Sequence, residues 1–152
     1  MDNFQSVREV MDRIAALGGE AVDYLEHIAE HRKESAPRDA MTLGALASER
    51  RRWLEALQGY LHNGPEELLQ TYFQYTPEVS LDQDLLGRIS GGDAEDIVGR
   101  FTEFDEALIG IYADLARRTE APGVITLMES LRQQQLEQQR RSTALLQGAR
   151  DV

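Results

Sequence analysis

Apolar residues recur at every third or fourth position through four long stretches of this chain. The stretches run from about residue 5 to 33, 38 to 62, 93 to 118 and 123 to 147. In the first stretch, for example, the positions of Val7, Val10, Met11 and Ile14 are all apolar. This spacing matches the turn of an α-helix and leaves one apolar face on each helix. Such faces are buried by packing helix against helix, so we predict an all-α fold.

The links between the four helices determine how they can pack. The first and second helices are separated by only about five residues, as are the third and fourth, which forces each pair into an antiparallel hairpin. The link from about residue 63 to 92 can run back along a helix of roughly 37 Å, so that the second and third helices lie parallel. We predict one domain, residues 1–152, folded as a four-helix bundle of two antiparallel hairpins joined by this long crossover. A helical assembly with helices exchanged between subunits is the competing arrangement.

Glycine and proline indicate where the helices are interrupted. Gly18-Gly19 falls inside the first helix and predicts a kink or a close approach by a neighbouring helix. Asn63-Gly64 predicts a left-handed cap at the end of the second helix, and Pro65 a short new helix after it. Residues 78–92, which contain three glycines, predict irregular backbone with one helical turn, and Gly87 to Gly92 predict a hinge before the third helix.

Composition excludes several kinds of chemistry. The chain has no cysteine, which excludes disulfides, thiolate metal ligands and a cysteine nucleophile, and is typical of a reducing compartment. With 27 acidic and 16 basic residues, its formal net charge is −11, so we expect no binding to nucleic acid or to anionic membranes. We recognise neither a signal peptide nor a membrane-spanning stretch, and we predict a cytoplasmic protein.

Each of the four helices contains one segment of a recognisable motif: Gly19–Leu25, Ala47–Trp53, Asp105–Tyr112 and Met128–Arg132. Together these segments resemble the ferritin-like superfamily. The resemblance covers the helices but not the crossover, and it implies the same bundle with one long crossover. Metal-binding members of this superfamily place a glutamate on each of two helices and Glu-x-x-His on each of the other two, around a shared pair of irons.

The sequence departs from that pattern at the two histidine positions. The corresponding residues are Glu20 on the first helix, Glu49 and Arg52 on the second, Asp105 or Glu106 on the third, and Glu129 and Arg132 on the fourth. A guanidinium has no lone pair to donate and stays protonated, so an arginine cannot replace a histidine ligand. We therefore predict no metal, no other cofactor and no catalytic residue, and we favour a protein that is not an enzyme.

The arginines suggest an internal ion-pair network where the metal would be. Carboxylates that converge in a bundle repel one another unless a positive charge lies among them. We predict that Glu49 and Glu129 are the anions of this network, and that Arg52 and Arg132, or Arg50, are the cations. By helical phase Arg50 projects near the centre of the apolar face, whereas Arg52 lies well away from it.

Histidines offer a different metal hypothesis. His27 and His31 are four residues apart on one helix face, a spacing that can chelate zinc or nickel. The sequence identifies no third ligand, and a pair of half-exposed histidines at the edge of the bundle is the simpler interpretation. His62, next to Asn63-Gly64, is interpreted as a cap or turn residue.

Two classes of function remain open from the sequence. One is a non-catalytic helical module that acts through contact with a protein or a small ligand; the other is an oxidative or iron-handling protein with a rearranged metal site. The aromatic segment from Leu69 to Tyr75 can cover an open edge of the bundle, close over a ligand or bind a partner. Together with the length of the helices, this segment motivates the prediction of a homodimer.

Overall fold

A computed structural model describes residues 5–73 and 91–150 of this chain. The helices of this part are α1 (Val7–His31), α2 (Pro37–Asn63), α3 (Glu66–Leu69), α4 (Ala94–Arg118) and α5 (Pro122–Arg150). The described residues contain no extended strand; an isolated antiparallel bridge joins Ser6 to Tyr72. No helix found there is both long and apolar enough to cross a bilayer. The predicted all-α class is confirmed, and the four long helices lie where the apolar periodicity predicts them.

Side-chain hydrogen bonds explain where two of the long helices begin. The hydroxyl oxygen of Ser6 accepts a hydrogen bond from the Glu9 amide at 3.2 Å, at the start of α1. At the start of α4, Asp93 and Asp96 form a reciprocal pair in which each carboxylate accepts from the backbone amide of the other residue, at 2.9 and 3.2 Å. These bonds satisfy amides of the first turn that have no partner within the helix.

The two ends of the crossover differ in their backbone. The left-handed cap predicted at the end of α2 is wrong: Gly64 is extended, with φ −72° and ψ 171°, because the proline that follows disfavours helical backbone there. Gly91 and Gly92 do adopt left-handed conformations, with φ of 104° and 93°. The rest of the predicted hinge, and most of the irregular backbone predicted for residues 78–92, lie outside the described residues.

Contacts near both ends of α1 and α2 show that these helices are antiparallel. Arg8, near the start of α1, donates to the backbone carbonyl of Leu61, near the end of α2, at 2.9 Å. At the opposite end, Arg32 follows α1 and lies 3.7 Å from Asp39 in the first turn of α2. The three-residue link at 119–121 joins α4 to α5 in the same way.

The helices α2 and α4 run parallel and in register. Asp39 accepts a hydrogen bond from the Ala94 amide at 3.2 Å, where both helices start. Further along the bundle, Arg50 contacts Asp105, again with a separation of 55 residues in sequence. A constant separation is the signature of parallel helices, so the predicted order of two antiparallel hairpins with a crossover between α2 and α4 is confirmed.

The apolar faces of the four long helices meet along the axis of the bundle. Each helix contributes fully buried side chains to this core, for example Met11, Leu54, Leu108 and Met128. At Gly18 of α1 the neighbouring helix comes close: a Cβ atom there would lie 2.7 Å from the ring of Trp53 on α2. Of the two alternatives predicted for this glycine, the structure shows the close approach of a neighbouring helix.

The aromatic segment closes one end of the core. Leu69 and Phe73 are buried against α1 and its neighbours, whereas Tyr72 is 61% exposed. The Val7 amide donates to the carbonyl of Thr71 at 2.9 Å, which ties the segment to the start of α1. The described part of this segment therefore covers an open edge of the bundle, the first of its three predicted roles; its last residue, Tyr75, lies outside the described residues.

Candidate functional site

An arginine from α2 and an aspartate from α4 meet inside the bundle. The Nη1 atom of Arg50 donates to Oδ1 of Asp105 at 2.5 Å, and Nη2 donates to Oδ2 at 2.7 Å. Their side chains are 1% and 0% exposed. Two parallel hydrogen bonds between a planar guanidinium and a carboxylate are the strongest geometry that such a pair can adopt.

Helical phase explains why two charged residues are buried here. Arg50 follows the buried Leu46 by four residues, and Asp105 follows the buried Phe101 by four, so each charge occupies a position on the apolar face of its helix. Isolated charges at these positions would be costly to remove from water. The two charges lie at the same level of parallel helices, where they compensate one another.

A third helix, α5, adds hydrogen bonds to both members of the pair. The Gln135 amide nitrogen donates to Oδ1 of Asp105 at 2.7 Å. The hydroxyl oxygen of Ser142 accepts from Nη2 of Arg50 at 2.7 Å, and this hydroxyl donates to the carbonyl of Gln138 at 3.0 Å. The candidate site is thus a neutral, buried cluster of side chains that links three helices, and we call it the Arg50–Asp105 cluster.

Several buried polar atoms, three of them in this cluster, are left without a hydrogen-bond partner in the described part of the chain. Among the described residues, no hydrogen bond reaches Arg50 Nε, the Tyr112 hydroxyl, Gln135 Oε1 or Gln138 Oε1, all of which are buried. The guanidinium carbon of Arg50 lies 5.2 Å from the centre of the Phe101 ring, within range of a cation–π contact. The centre of the bundle is therefore polar, and its hydrogen-bonding capacity is not fully used.

Burial governs the protonation of the groups in this cluster. Removal from water raises the pKa of the Asp105 carboxyl above its ordinary value, while the Arg50 guanidinium and the Gln135 amide act in the opposite direction. The pKa of the Tyr112 phenol is also raised, first by burial and then by the charge of Asp105. Tyr112 is therefore a neutral phenol, which can donate a hydrogen bond but carries no charge.

Six of the seven residues that match the superfamily's metal positions lie outside this cluster. Glu20, Arg52, Glu106 and Glu129 are exposed, Glu49 and Arg132 are partly exposed, and Asp105 is buried. Only Asp105 faces the interior. The residues that share a motif spacing in the sequence therefore do not share a site in the structure.

The predicted network of Glu49, Glu129, Arg52 and Arg132 is wrong. Arg132 instead contacts Glu129 of its own helix at 3.2 Å, as an i, i+3 pair on the surface. Arg52 is exposed, because it lies about 200° around α2 from Arg50 and so points away from the core. An internal ion pair does exist, but its cation is Arg50, the alternative considered, and its anion is Asp105.

The histidines lie on the surface of the bundle. His27 and His31 are exposed, with ring centres 4.3 Å apart in an edge-on arrangement. Within residues 5–73 and 91–150, no three His, Asp or Glu side chains are grouped so that they could hold a metal ion. His62 is exposed in the last turn of α2, consistent with its interpretation as a residue at a helix end.

The residues at the centre of the bundle do not fit a pair of irons. Such a site needs several carboxylates and histidines that converge on the metal. The Arg50–Asp105 cluster offers one carboxylate, whose oxygens already accept from Arg50 and Gln135, and it contains a permanent positive charge. A cation that entered this cluster would have to displace Arg50 from Asp105.

Sequence reasoning identified part of this cluster and missed its α5 residues. Arg50 and Asp105 could be placed near the apolar faces by helical phase, but Gln135, Gln138 and Ser142 belong to a stretch that looks uniformly polar. The overlooked signal is that they continue the apolar positions of α5, which are Val124, Met128 and Leu131, at steps of three and four residues. Polar residues in phase with a buried face indicate a buried polar layer.

Comparison with known proteins supports the fold. No protein-family model matches the sequence, and no curated protein matches it. Among solved structures, a protein from Thermotoga maritima, provisionally described as a ferritin-like diiron-carboxylate protein, superposes with a TM-score of 0.58. The match covers 99% of this chain and 98% of that one, at 15% sequence identity. The chain therefore has a ferritin-like fold, as the motif resemblance implied.

Proposed function

We propose that this protein is a metal-free, non-catalytic ferritin-like bundle that acts by binding another protein or a small ligand. The observation that carries the proposal is the Arg50–Asp105 pair, which supplies at the centre of the bundle the positive charge that a metal would otherwise supply. The two hydrogen bonds between the side chains, at 2.5 and 2.7 Å, engage both carboxylate oxygens of Asp105.

Charge balance supports the same conclusion. In the metal-binding members of the superfamily, several carboxylates create an excess of negative charge that attracts iron. In this chain the buried cluster contains one anion and one cation and is neutral. A neutral site with a fixed guanidinium gives a divalent cation no electrostatic gain, so the oxidative chemistry of a metal centre has no basis in these residues.

The alternative function is an iron-handling protein with a rearranged site. It is favoured by the fold and by the description of the Thermotoga maritima protein as a diiron-carboxylate protein. For this chain it would require ligands from outside the Arg50–Asp105 cluster, and His27 with His31 are the residues best placed to offer them. The two functions therefore differ in where a metal would bind.

Metal analysis of the purified protein tests the proposal. The chain is loaded with iron, manganese or zinc, dialysed, and its metal content measured beside two variants, Asp105→Asn and His27→Ala. We expect all three proteins to retain far less than one metal ion per chain. Stoichiometric metal that is lost in Asp105→Asn would contradict the proposal at the bundle centre, and metal lost in His27→Ala would show the alternative surface site.

The net charge and the absence of cysteine extend the proposal to partners and location. A chain with a charge of −11 is repelled by phosphate backbones and by anionic lipid surfaces. We therefore expect its partners to be proteins or small molecules, and its compartment to be the cytoplasm. Retention on a heparin column, which presents an anionic polymer, would contradict this expectation.

A further inference from the structure

A shallow apolar groove runs between α2 and α5 on the outside of the bundle. Its volume is about 430 Å³, and its lining includes Met41, Ala45 and Glu49 from α2 and Arg141, Ala144 and Gly148 from α5. On each helix these residues recur at steps of three or four, so they form one continuous face. We call this surface the α2–α5 groove.

The groove combines a protruding apolar side chain with a floor of small residues. Met41 is 76% exposed at one end, and it is one of the two large apolar side chains that are exposed in the described part of the chain. Gly148 is itself exposed, and a Cβ atom added there would meet no atom within 4 Å, so these small residues leave room for a side chain of another molecule. A protruding apolar side chain and a row of small residues thus lie within the same patch.

The charges beside the groove are balanced. Glu49 and Arg141 both line it, and Arg141 also contacts Glu137 at 3.3 Å. The charged side chains that line the groove are thus one acid and one base, so the groove is neutral in a chain whose net charge is −11.

A second groove, between α1 and α2, has a different charge. It is larger, about 750 Å³, and its charged lining residues are Arg8, Asp12, Glu20 and Asp23. Three acidic side chains against one basic side chain would make this surface repel a copy of itself. A third groove, lined mainly by α1 and α2, has three acidic and three basic lining residues, but no large exposed apolar side chain lines it. Of these three grooves, the α2–α5 groove is the one that combines a balanced charge with an exposed large apolar side chain.

We infer that the α2–α5 groove binds a second copy of this chain, as the contact surface of a two-fold symmetric dimer. In a two-fold dimer the same patch is used by both subunits, so it has to be complementary to itself. The α2–α5 groove meets this condition in shape, because Met41 of each subunit can enter the small-residue floor of the other, and in charge. The inference goes beyond the proposed function and does not depend on whether the bundle holds a metal.

The dimer predicted from the aromatic segment had a different basis. Leu69 and Phe73 are buried in the core of their own chain, so they are not available to a partner. Tyr72 is the other large apolar side chain exposed among the described residues, at 61%. It therefore provides a matched control for Met41.

Mass measurements on two charge substitutions test the inference. At concentrations on the order of tens of micromolar, we expect light scattering to give twice the mass of one chain, and Met41→Glu to raise the dissociation constant of the dimer by about tenfold or more. Tyr72→Glu introduces the same charge and should leave the dissociation constant unchanged. Because both side chains are exposed, neither variant should unfold the monomer.

Cysteine cross-linking tests the symmetry directly, because the chain has no cysteine of its own. Ala144 is exposed between Arg141 and Gly148 on the groove, so Ala144→Cys should form a disulfide between two chains under mild oxidation. Ser130→Cys, exposed on the same helix outside the groove, is the control and should cross-link much more slowly.

The outcomes separate the possible occupants of the groove. A dimer that is lost in Met41→Glu and cross-linked through Ala144→Cys supports the inference. A monomer in which Met41 resists oxidation by peroxide would show that another part of the same chain covers the groove, and would overturn it. A monomer with reactive Met41, or a dimer that depends on Tyr72 instead, would overturn it equally.

Discussion

Two arginine–carboxylate pairs in this protein use the same chemical groups in opposite surroundings. Arg50 and Asp105 lie at the centre of the bundle, with side chains 1% and 0% exposed. Arg132 and Glu129 lie on the outer surface of α5, with side chains 30% and 50% exposed. The first pair joins two different helices through residues that are 55 positions apart in sequence, whereas the residues of the second pair are three positions apart on one helix.

The two pairs differ in what each contributes to stability and to the register of the helices. A surface pair is screened by solvent and contributes little to stability. A buried pair costs desolvation when it forms, but removal of one partner leaves a charge with no compensation. Arg50 and Asp105 therefore favour the one register of α2 against α4 in which both charges meet, and any slip of these helices would separate them.

Removal of Arg50 should give the largest effect. Arg50→Met keeps most of the side-chain length but leaves Asp105 buried without its cation, so we expect the free energy of unfolding to fall by about 3–5 kcal/mol. Urea denaturation measures this loss directly. The double variant Arg50→Met with Asp105→Leu is the control, because it removes both charges, and it should recover most of the stability. A loss of less than about 1 kcal/mol in Arg50→Met would mean that the pair behaves like a surface pair.

Two neighbouring glycines of α1 provide a second comparison: Gly18 is buried and Gly19 is partly exposed. Alanine in place of glycine inside a helix gains about 1 kcal/mol from backbone entropy. At Gly19 the new Cβ would lie 3.8 Å from Leu54, an ordinary contact, so Gly19→Ala should stabilise the protein by about that amount. At Gly18 it would lie 2.7 Å from the Trp53 ring, and the overpacking should cost about 1–3 kcal/mol.

Thermal denaturation tests whether the two alanine substitutions change stability in opposite directions. The melting temperature should rise for Gly19→Ala and fall for Gly18→Ala. If both variants were stabilised, α1 and α2 would have room to move apart at this level, and the close approach of the helices would not be a constraint on the fold.

Much of the fold followed from the sequence, because helix periodicity and link length act locally. The spacing of the apolar residues predicted the positions of the four helices. The two short links and the long crossover between them predicted which helices are antiparallel and which are parallel. The left-handed cap predicted at Gly64 is wrong, because the proline after it favours extended backbone there more strongly than glycine favours the left-handed region. The path of residues 74–90 lies outside the described residues.

The candidate site was predicted only in part, because motif spacing was given more weight than helical phase. Arg52 and Arg132 stand where histidines would be expected, and this pattern made them the first choice. Phase alone favoured Arg50, which shares the apolar face with Leu46. The pairing of Arg50 with Asp105 could not be predicted, since it depends on the register of two helices that are far apart in the chain.

Removal of Arg132 should give a small effect. Arg132→Ala breaks only the exposed contact with Glu129, so we expect the free energy of unfolding to change by less than about 1 kcal/mol, and by less still at high salt. Parallel urea denaturation at low and high salt measures both quantities. A loss comparable with that of Arg50→Met would contradict the assignment of Arg132 to the surface.

The pH dependence of stability should give the smallest effect. Its sign tests whether burial or the Arg50 guanidinium has the larger influence on the pKa of Asp105. Burial raises the pKa of Asp105 above its ordinary value, in spite of the opposing effect of Arg50. Between the ordinary and the raised pKa, the folded protein then holds a proton on this carboxyl that the unfolded chain has lost. Stability from this group is therefore fully present below the ordinary pKa and is lost as the pH rises through the raised one.

Asp105→Asn isolates this contribution, because asparagine does not titrate in this range, while other groups such as Glu106 remain in both proteins. We expect the difference in free energy of unfolding, wild type minus Asp105→Asn, to shrink as the pH rises from about 4 to 7. Urea denaturation across this range measures it. If the difference grows instead, the Arg50 guanidinium outweighs burial and holds the pKa of Asp105 below its ordinary value. The contrast between the buried pair and the surface pair would then rest on the strength of the pairing, and no longer on the cost of desolvation.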